Sequence, residues 1–214
     1  MLTNMLPANL LLFVTASLAL LLVPGPAVLY IMTRSIDQGR RAGLISVAGI
    51  HSATFVHILA AALGLSAILL SSALAFDIVK YIGAAYLIYL GVKKLLSKDE
   101  ADTTETVQKQ SLRQIYKQGV IVNLLNPKTA LFFFAFLPQF VDPNHGSVSL
   151  QIVLLGLIFV GMGAITDSTY AIVSSMLAGR LRSSQRFKLV QRYVSGTVFI
   201  GLGITAALAG RTKS

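Results

Sequence analysis

Pro24-Gly25-Pro26 and Asn126-Pro127-Lys128 each interrupt an apolar stretch long enough to cross a bilayer, one in each half of the chain. A hydrocarbon core of ~30 Å takes ~20 helical residues. Inside it an unpaired backbone N–H or C=O costs several kcal/mol, so a helix broken at membrane depth survives only where protein buries the break or where it lines a cavity. Two such breaks at corresponding places of two half-chains point to a substrate site of a transport protein.

The apolar stretches cover residues 9–33, 42–70, 76–96, 119–141, 150–179 and 189–209. They predict an all-α polytopic membrane protein with six transmembrane helices in one transporter domain, residues 1–214. Hydrophobic residues make up 55% and charged residues 12%, against roughly one-quarter charged in soluble domains. Ser71 and Ser72, with Asp77 and Lys80 at the restart, are all that divides the second stretch from the third. No Lys or Arg precedes Leu10, and Pro24-Gly25-Pro26 stands where a signal-peptide cleavage site should be, so the first stretch is expected to be a span. The absence of cysteine excludes disulfides and thiolate metal sites, and neither a metal nor another cofactor is expected.

A net charge of +10 in a soluble protein would suggest a nucleic-acid partner. Here the basic residues obey the positive-inside rule instead. Arg34, Arg40 and Arg41 follow the first span; Lys93, Lys94, Lys98, Lys109, Arg113 and Lys117 surround the third connection; Arg180, Arg182, Arg186, Lys188 and Arg192 fill the fifth. That assigns fourteen of the 18 Lys and Arg to one side. The odd-numbered connections are therefore expected in the cytoplasm, membrane lipids are the expected surroundings, and no nucleic-acid partner is expected. The polar segment with Asp99, Glu100, Asp102 and Glu105 reads as a cytoplasmic linker, residues 97–113, between repeat one at 1–96 and repeat two at 114–214.

The halves are weakly alike. Lys80-Tyr81 parallels Arg192-Tyr193, with Gly91 matching Gly203 at the same offset, and Pro26 parallels Pro127. Three helices per half place the second half inverted in the membrane, giving two inverted three-helix repeats.

Four motifs carry a family resemblance across nearly the whole chain. They are Pro24-Gly25-Pro26; Asn123-Leu124-Leu125-Asn126-Pro127-Lys128 with Phe132-Phe133-Phe134; Leu137-Pro138-Gln139-Phe140; and the pair His57–Ser66 and Gly83–Gly91. Together they resemble the LysE/RhtB amino-acid exporters, in the branch that includes threonine and homoserine-lactone exporters. The resemblance implies a bacterial inner-membrane exporter of a small-molecule amino-acid substrate or close derivative, driven by the proton gradient and often a homodimer. A passive channel and a membrane-embedded enzyme are the alternatives; a ring of repeated polar groups would mark the first and a nucleophile–base pair the second.

The residues themselves suggest roles. Pro24 and Pro26 lack amide hydrogens and free carbonyls in the turn before them, with Gly25 relaxing the backbone, so the break can take an ammonium group. The helix that resumes after Asn126 and Pro127 turns N–H groups and its positive end towards a carboxylate. Lys128, within the fourth span, is open to three readings: a partner for Asp167, a contact for the substrate carboxylate, or a side chain snorkelling to the cytoplasm. Asp167, deep in the fifth stretch, is the proton-site candidate, with Tyr170 on its face; a static pair with Lys128 or a histidine is the alternative. His51 and His57 fall on different faces of one helix, which excludes a metal pair and leaves each as a proton relay or a bonded core side chain. Ala60-x-x-x-Gly64 and Thr197-x-x-x-Gly201-x-x-x-Thr205 suggest close helix packing within the bundle or between protomers, and Phe132-Phe133-Phe134 with Phe136 suggest a face towards lipid and neighbouring helices, with one ring a candidate gate on the path. Because the chain has no cysteine, topology can be read directly: Ser183→Cys should react with a membrane-impermeant maleimide only from the cytoplasmic side, and Asn144→Cys only from outside.

Overall fold

The structure is a computed structural model that describes residues 9–71, 110–144 and 146–178 continuously, with scattered helical residues between 78 and 96 and between 193 and 207. The predicted third and sixth spans and most of the linker lie outside the continuously described residues. The elements are α1 (Leu10–Leu22), α2 (Pro26–Gln38), α3 (Arg40–Ser71), α4 (Leu112–Leu124), α5 (Pro127–Leu131) and α6 (Val148–Met176). α5 continues into a π turn, Phe132–Phe136, and a 3-10 turn, Leu137–Phe140.

Both predicted breaks are present. α1 and α2 form a pair bent by 48°, and α4 with the α5 segment forms a second pair bent by 48°. At each break a proline opens the next helix, where its missing N–H is no loss. α3 over Arg40–Gly64 and α6 over Val148–Met176 are long and apolar enough to cross a membrane unaided, which with the bent pairs gives up to four spans among the described residues. α4 starts at Leu112, ahead of the apolar stretch that begins at Gly119, because Ser111 and Gln114 close a reciprocal capping box there. Gly39, at φ 82°, turns the chain from α2 into α3 through a region open to glycine.

α3 is the element against which α2, α4 and α6 pack. A Cβ at Gly49 would stand 2.3 Å from the Tyr116 carbonyl oxygen, and one at Gly119 would stand 3.0 Å from that of Ser46, so α3 and α4 approach backbone to backbone. Gly156 takes the Ile58 side chain on α6, and Gly43 takes Ser35. The expected packing glycine at 64 is not among them: a Cβ there meets nothing within 4 Å, and neither does one at Gly201. The expected packing between protomers falls outside a single chain.

The aromatic run also departs from expectation. Phe132, Phe133 and Phe136 are buried, in one cluster with Phe13, Phe159, Leu137 and Ile152. Phe132 stacks on Phe159 at 4.2 Å between ring centroids, and Phe13 meets Phe140 edge-on at 5.3 Å. The π turn changes the angular spacing of these side chains, so consecutive rings can all turn inward. Beyond it, Gln151 donates to the Asp142 carbonyl and accepts from its N–H, closing the loop that leads to α6. Gly49→Ala should destabilise the purified protein by about 1–3 kcal/mol through overpacking, while Gly64→Ala should leave it near wild type; thermal unfolding in detergent compares the two.

Candidate functional site

At the first break the chain loses the amide hydrogens of two prolines, and carbonyls at the end of α1 are left to find donors elsewhere. The donors come from the second half of the chain. Tyr170 on α6 donates its hydroxyl to the Leu22 carbonyl at 2.7 Å, and Lys128 donates its ammonium to the Val23 carbonyl at 2.6 Å. Gly25 is extended, at φ −111° and ψ −170°, so the backbone there does not require glycine. Its value is space: a Cβ would come within 3.0 Å of Lys128 Cδ.

The second break is held by side-chain amides. Asn123, almost fully buried, donates through Nδ2 to the Ile50 carbonyl at 2.8 Å and to Thr54 Oγ1 at 2.9 Å. Its Oδ1 accepts from Thr129 Oγ1 at 2.8 Å and Asn126 Nδ2 at 3.2 Å. Asn126 Oδ1 caps α5 by accepting from the Lys128 N–H at 3.1 Å, so one of the donors expected for a substrate carboxylate is already engaged. His57 Nε2 lies 3.0 Å from the Asn123 carbonyl, which can only accept, so His57 is protonated at Nε2. The ring stacks on Phe133, with centroids 6.2 Å apart.

Between the breaks is a cavity of about 40 Å³, room for a few waters. Its polar lining is His51, Thr54, Asn123, Asn126, Lys128, Thr129 and Asp167; Leu20, Leu21, Val28, Ile50 and Phe159 supply much of the apolar wall. Asp167 Oδ2 is 3.2 Å from His51 Nε2, with both side chains almost wholly buried. That distance is within ion-pair range, yet neither ring nitrogen of His51 makes a well-directed hydrogen bond. Gly163 makes room for the imidazole, as a Cβ there would stand 2.8 Å from its Cε1.

Of the residues singled out in the sequence, Gly25, His51, Asn126, Lys128 and Asp167 meet around the cavity. Pro24, Pro26 and Pro127 shape the breaks from behind it, Tyr170 is tied to the end of α1, and His57 is tied to α4 outside the cavity lining. Lys128 does not snorkel: it is buried and bonded across to the other break. Asn123, Thr54 and Thr129 were not anticipated. The signal for Asn123 was present, since an amide inside an apolar span must be satisfied by neighbours, but the two threonines look like ordinary helix residues.

Comparison with known proteins bears on this arrangement. The family described as LysE type translocator matches residues 18–210. The homoserine/homoserine lactone efflux protein of Salmonella typhimurium is 31% identical over 197 residues, covering 92% of this chain and 95% of that protein. An uncharacterized membrane protein of Vibrio cholerae is 31% identical over 188 residues, covering 88% and 91%, and one of Bacillus subtilis is 29% identical over 210 residues, covering 94% and 99%. No solved structure matches.

The amide network can be tested at its centre. Asn123→Ala removes one bond each from Thr54, Asn126 and Thr129; Thr54 keeps the Ile50 carbonyl and Asn126 keeps Thr129, so the Thr129 hydroxyl is the donor left buried without its acceptor, at about 1–3 kcal/mol. The variant should unfold at a lower temperature than wild type in detergent, with Asn123→Asp, which keeps the acceptor and loses the donor, falling between the two.

Proposed function

The chain belongs to the LysE type translocators, and on that premise we propose that it exports a small amino acid or a close derivative across the bacterial inner membrane, with the substrate held between its two helix breaks. The protein is a membrane translocator and not an enzyme. What carries the reading of the site is one observation: a buried cation, Lys128, and a buried anion, Asp167, line one cavity at the place where both broken spans meet. A zwitterion is the ligand that suits such a pair. The name of the Salmonella relative favours homoserine, its lactone or a similar small amino acid such as threonine.

The architecture proposed is six helices in two inverted three-helix repeats. Its support is that each half carries a span broken at proline and bent by the same 48°, and that long unbroken helices, α3 and α6, follow the broken pairs. Alternating access then opens the site between the breaks to one side of the membrane and then to the other. The substrate enters from the cytoplasm with its carboxylate towards Lys128, Asn126 and the Pro127 turn, while Pro24-Gly25-Pro26 and Tyr170 frame its amine.

Asp167 is the proposed proton carrier and His51 its partner. A carboxylate in low dielectric holds a proton readily when its charge partners withdraw and releases it when they return. The 3.2 Å contact to His51 gives the pair two sites for one proton. A proton entering from outside would neutralise Asp167 as the substrate leaves. His57 takes a supporting part, fixing the carbonyl of Asn123 at the second break.

The experiment is export of a labelled amino-acid mixture from cells and from proteoliposomes, read by mass spectrometry with and without a protonophore. Wild type should accumulate one small amino acid outside in a protonophore-sensitive way. Asp167→Asn should fall to the level of empty vesicles, and His51→Gln should export with an altered pH profile. Normal export by Asp167→Asn removes the proposed carrier, and insensitivity to the protonophore removes proton coupling.

A further inference from the structure

The carbonyls that the first break releases are already taken, Leu22 by the Tyr170 hydroxyl at 2.7 Å and Val23 by the Lys128 ammonium at 2.6 Å. An incoming ammonium has to find another acceptor. Among the residues lining the cavity the anion is Asp167 of α6. Its buried carboxylate faces His51 of α3 at 3.2 Å, in a contact that leaves both ring nitrogens without a well-directed hydrogen bond. Of the other ionisable groups near it, Lys128 of α5 and Tyr170 on its own helix are each bonded to the first break. α1 and α2 bring only Leu20, Leu21, Ala27 and Val28 to the lining, with Gly25 between them. The cavity of about 40 Å³ admits a group of water's size beside the carboxylate, and an ammonium is such a group.

Resting on the export reading above, we infer that Asp167 is a single seat taken by turns by the substrate ammonium and the coupling proton. One cation occupies it at a time. An ammonium on the carboxylate excludes a proton from Asp167 and from the facing His51 alike, since a second positive charge would be buried against the first. Departure of the amine to the outside uncovers a carboxylate in low dielectric, which takes up one proton; opening to the cytoplasm releases that proton and admits the next ammonium. One proton enters for each amine that leaves, while Lys128 keeps its own. The seat reads the ammonium, so an α-amino lactone, which has no carboxylate, is accepted as its parent amino acid is. The two differ electrically. A lactone leaves as a cation and its exchange moves no net charge, whereas an amino acid leaves as a zwitterion and its exchange carries one positive charge inward.

L-homoserine and L-homoserine lactone are the probes. The affinity of the purified protein in detergent for either should fall about tenfold per pH unit on the acid side without levelling, because one proton must leave for each amine bound. Asp167→Asn should bind neither probe, Asp167→Glu both, and His51→Gln should move the midpoint of that fall and keep its slope. Where a variant is not monodisperse on size exclusion, the wild-type slope decides. In proteoliposomes at about pH 6, below the ordinary α-amino range of ~7.7, an inside-negative potassium diffusion potential should speed the efflux of homoserine and leave that of the lactone unchanged. An acid-side plateau in affinity, wild-type binding by folded Asp167→Asn, or one voltage response for both probes overturns the shared seat while export itself stands. Transport of neither probe by folded wild type overturns the export reading and the seat with it.

Discussion

In hydrocarbon no water is available to a backbone carbonyl, so the oxygens of Leu22 and Val23, released where Pro24-Gly25-Pro26 ends α1, must be met by protein donors. Tyr170 and Lys128 meet them, and both come from the other half of the chain. At the second break the Asn123 carbonyl is met in turn by His57 of α3. Each break is thus completed from outside its own span, which fixes the two close together and encloses the cavity between them. The polar residues inside the bundle follow from this need as much as from any need to bind a ligand.

That dependence explains what was legible in the sequence. Prolines within apolar stretches mark both bends because proline's effect on a helix is local. Asp167 and Lys128 stand out because charge in a span is costly wherever it lies. The pairing itself was not legible. Lys128 had three readings that differ only in where a flexible stem points, and only its seat on Val23, with the space at Gly25, decides against snorkelling. Thr54 and Thr129 escaped notice because a threonine in an apolar helix ordinarily bonds its own turn. The inward Phe132, Phe133 and Phe136 escaped because a π turn breaks the period by which faces are read. Gly49 and Gly119 meet a neighbouring helix and Gly64 meets no atom of this chain, and the three are indistinguishable until the neighbouring helix is placed.

Away from the breaks, α2 and α4 are joined by a ladder of polar contacts. Tyr30 donates to the Ile115 carbonyl, Arg34 to Gln118, and Gln38 and Gln110 exchange bonds in both directions. Arg34 lies over the Tyr30 ring, 5.4 Å from its centroid. With α3 and α4 locked backbone to backbone at Gly49 and Gly119, this end of the bundle ties the first half of the chain to the second. At the breaks, by contrast, a few side-chain hydrogen bonds, each worth ~1 kcal/mol net, hold the chain.

The closeness of Gly25 to the Lys128 stem has a consequence for the sequence itself. With 3.0 Å between a Cβ at 25 and Cδ at 128, a methyl group at the first position leaves space only for a shorter or rerouted side chain at the second. A side chain added at position 25 is therefore accommodated only as far as the Lys128 stem, about a hundred positions away, gives way. The spacing of the two positions along the chain gives no hint of this contact between halves, which no local pattern discloses.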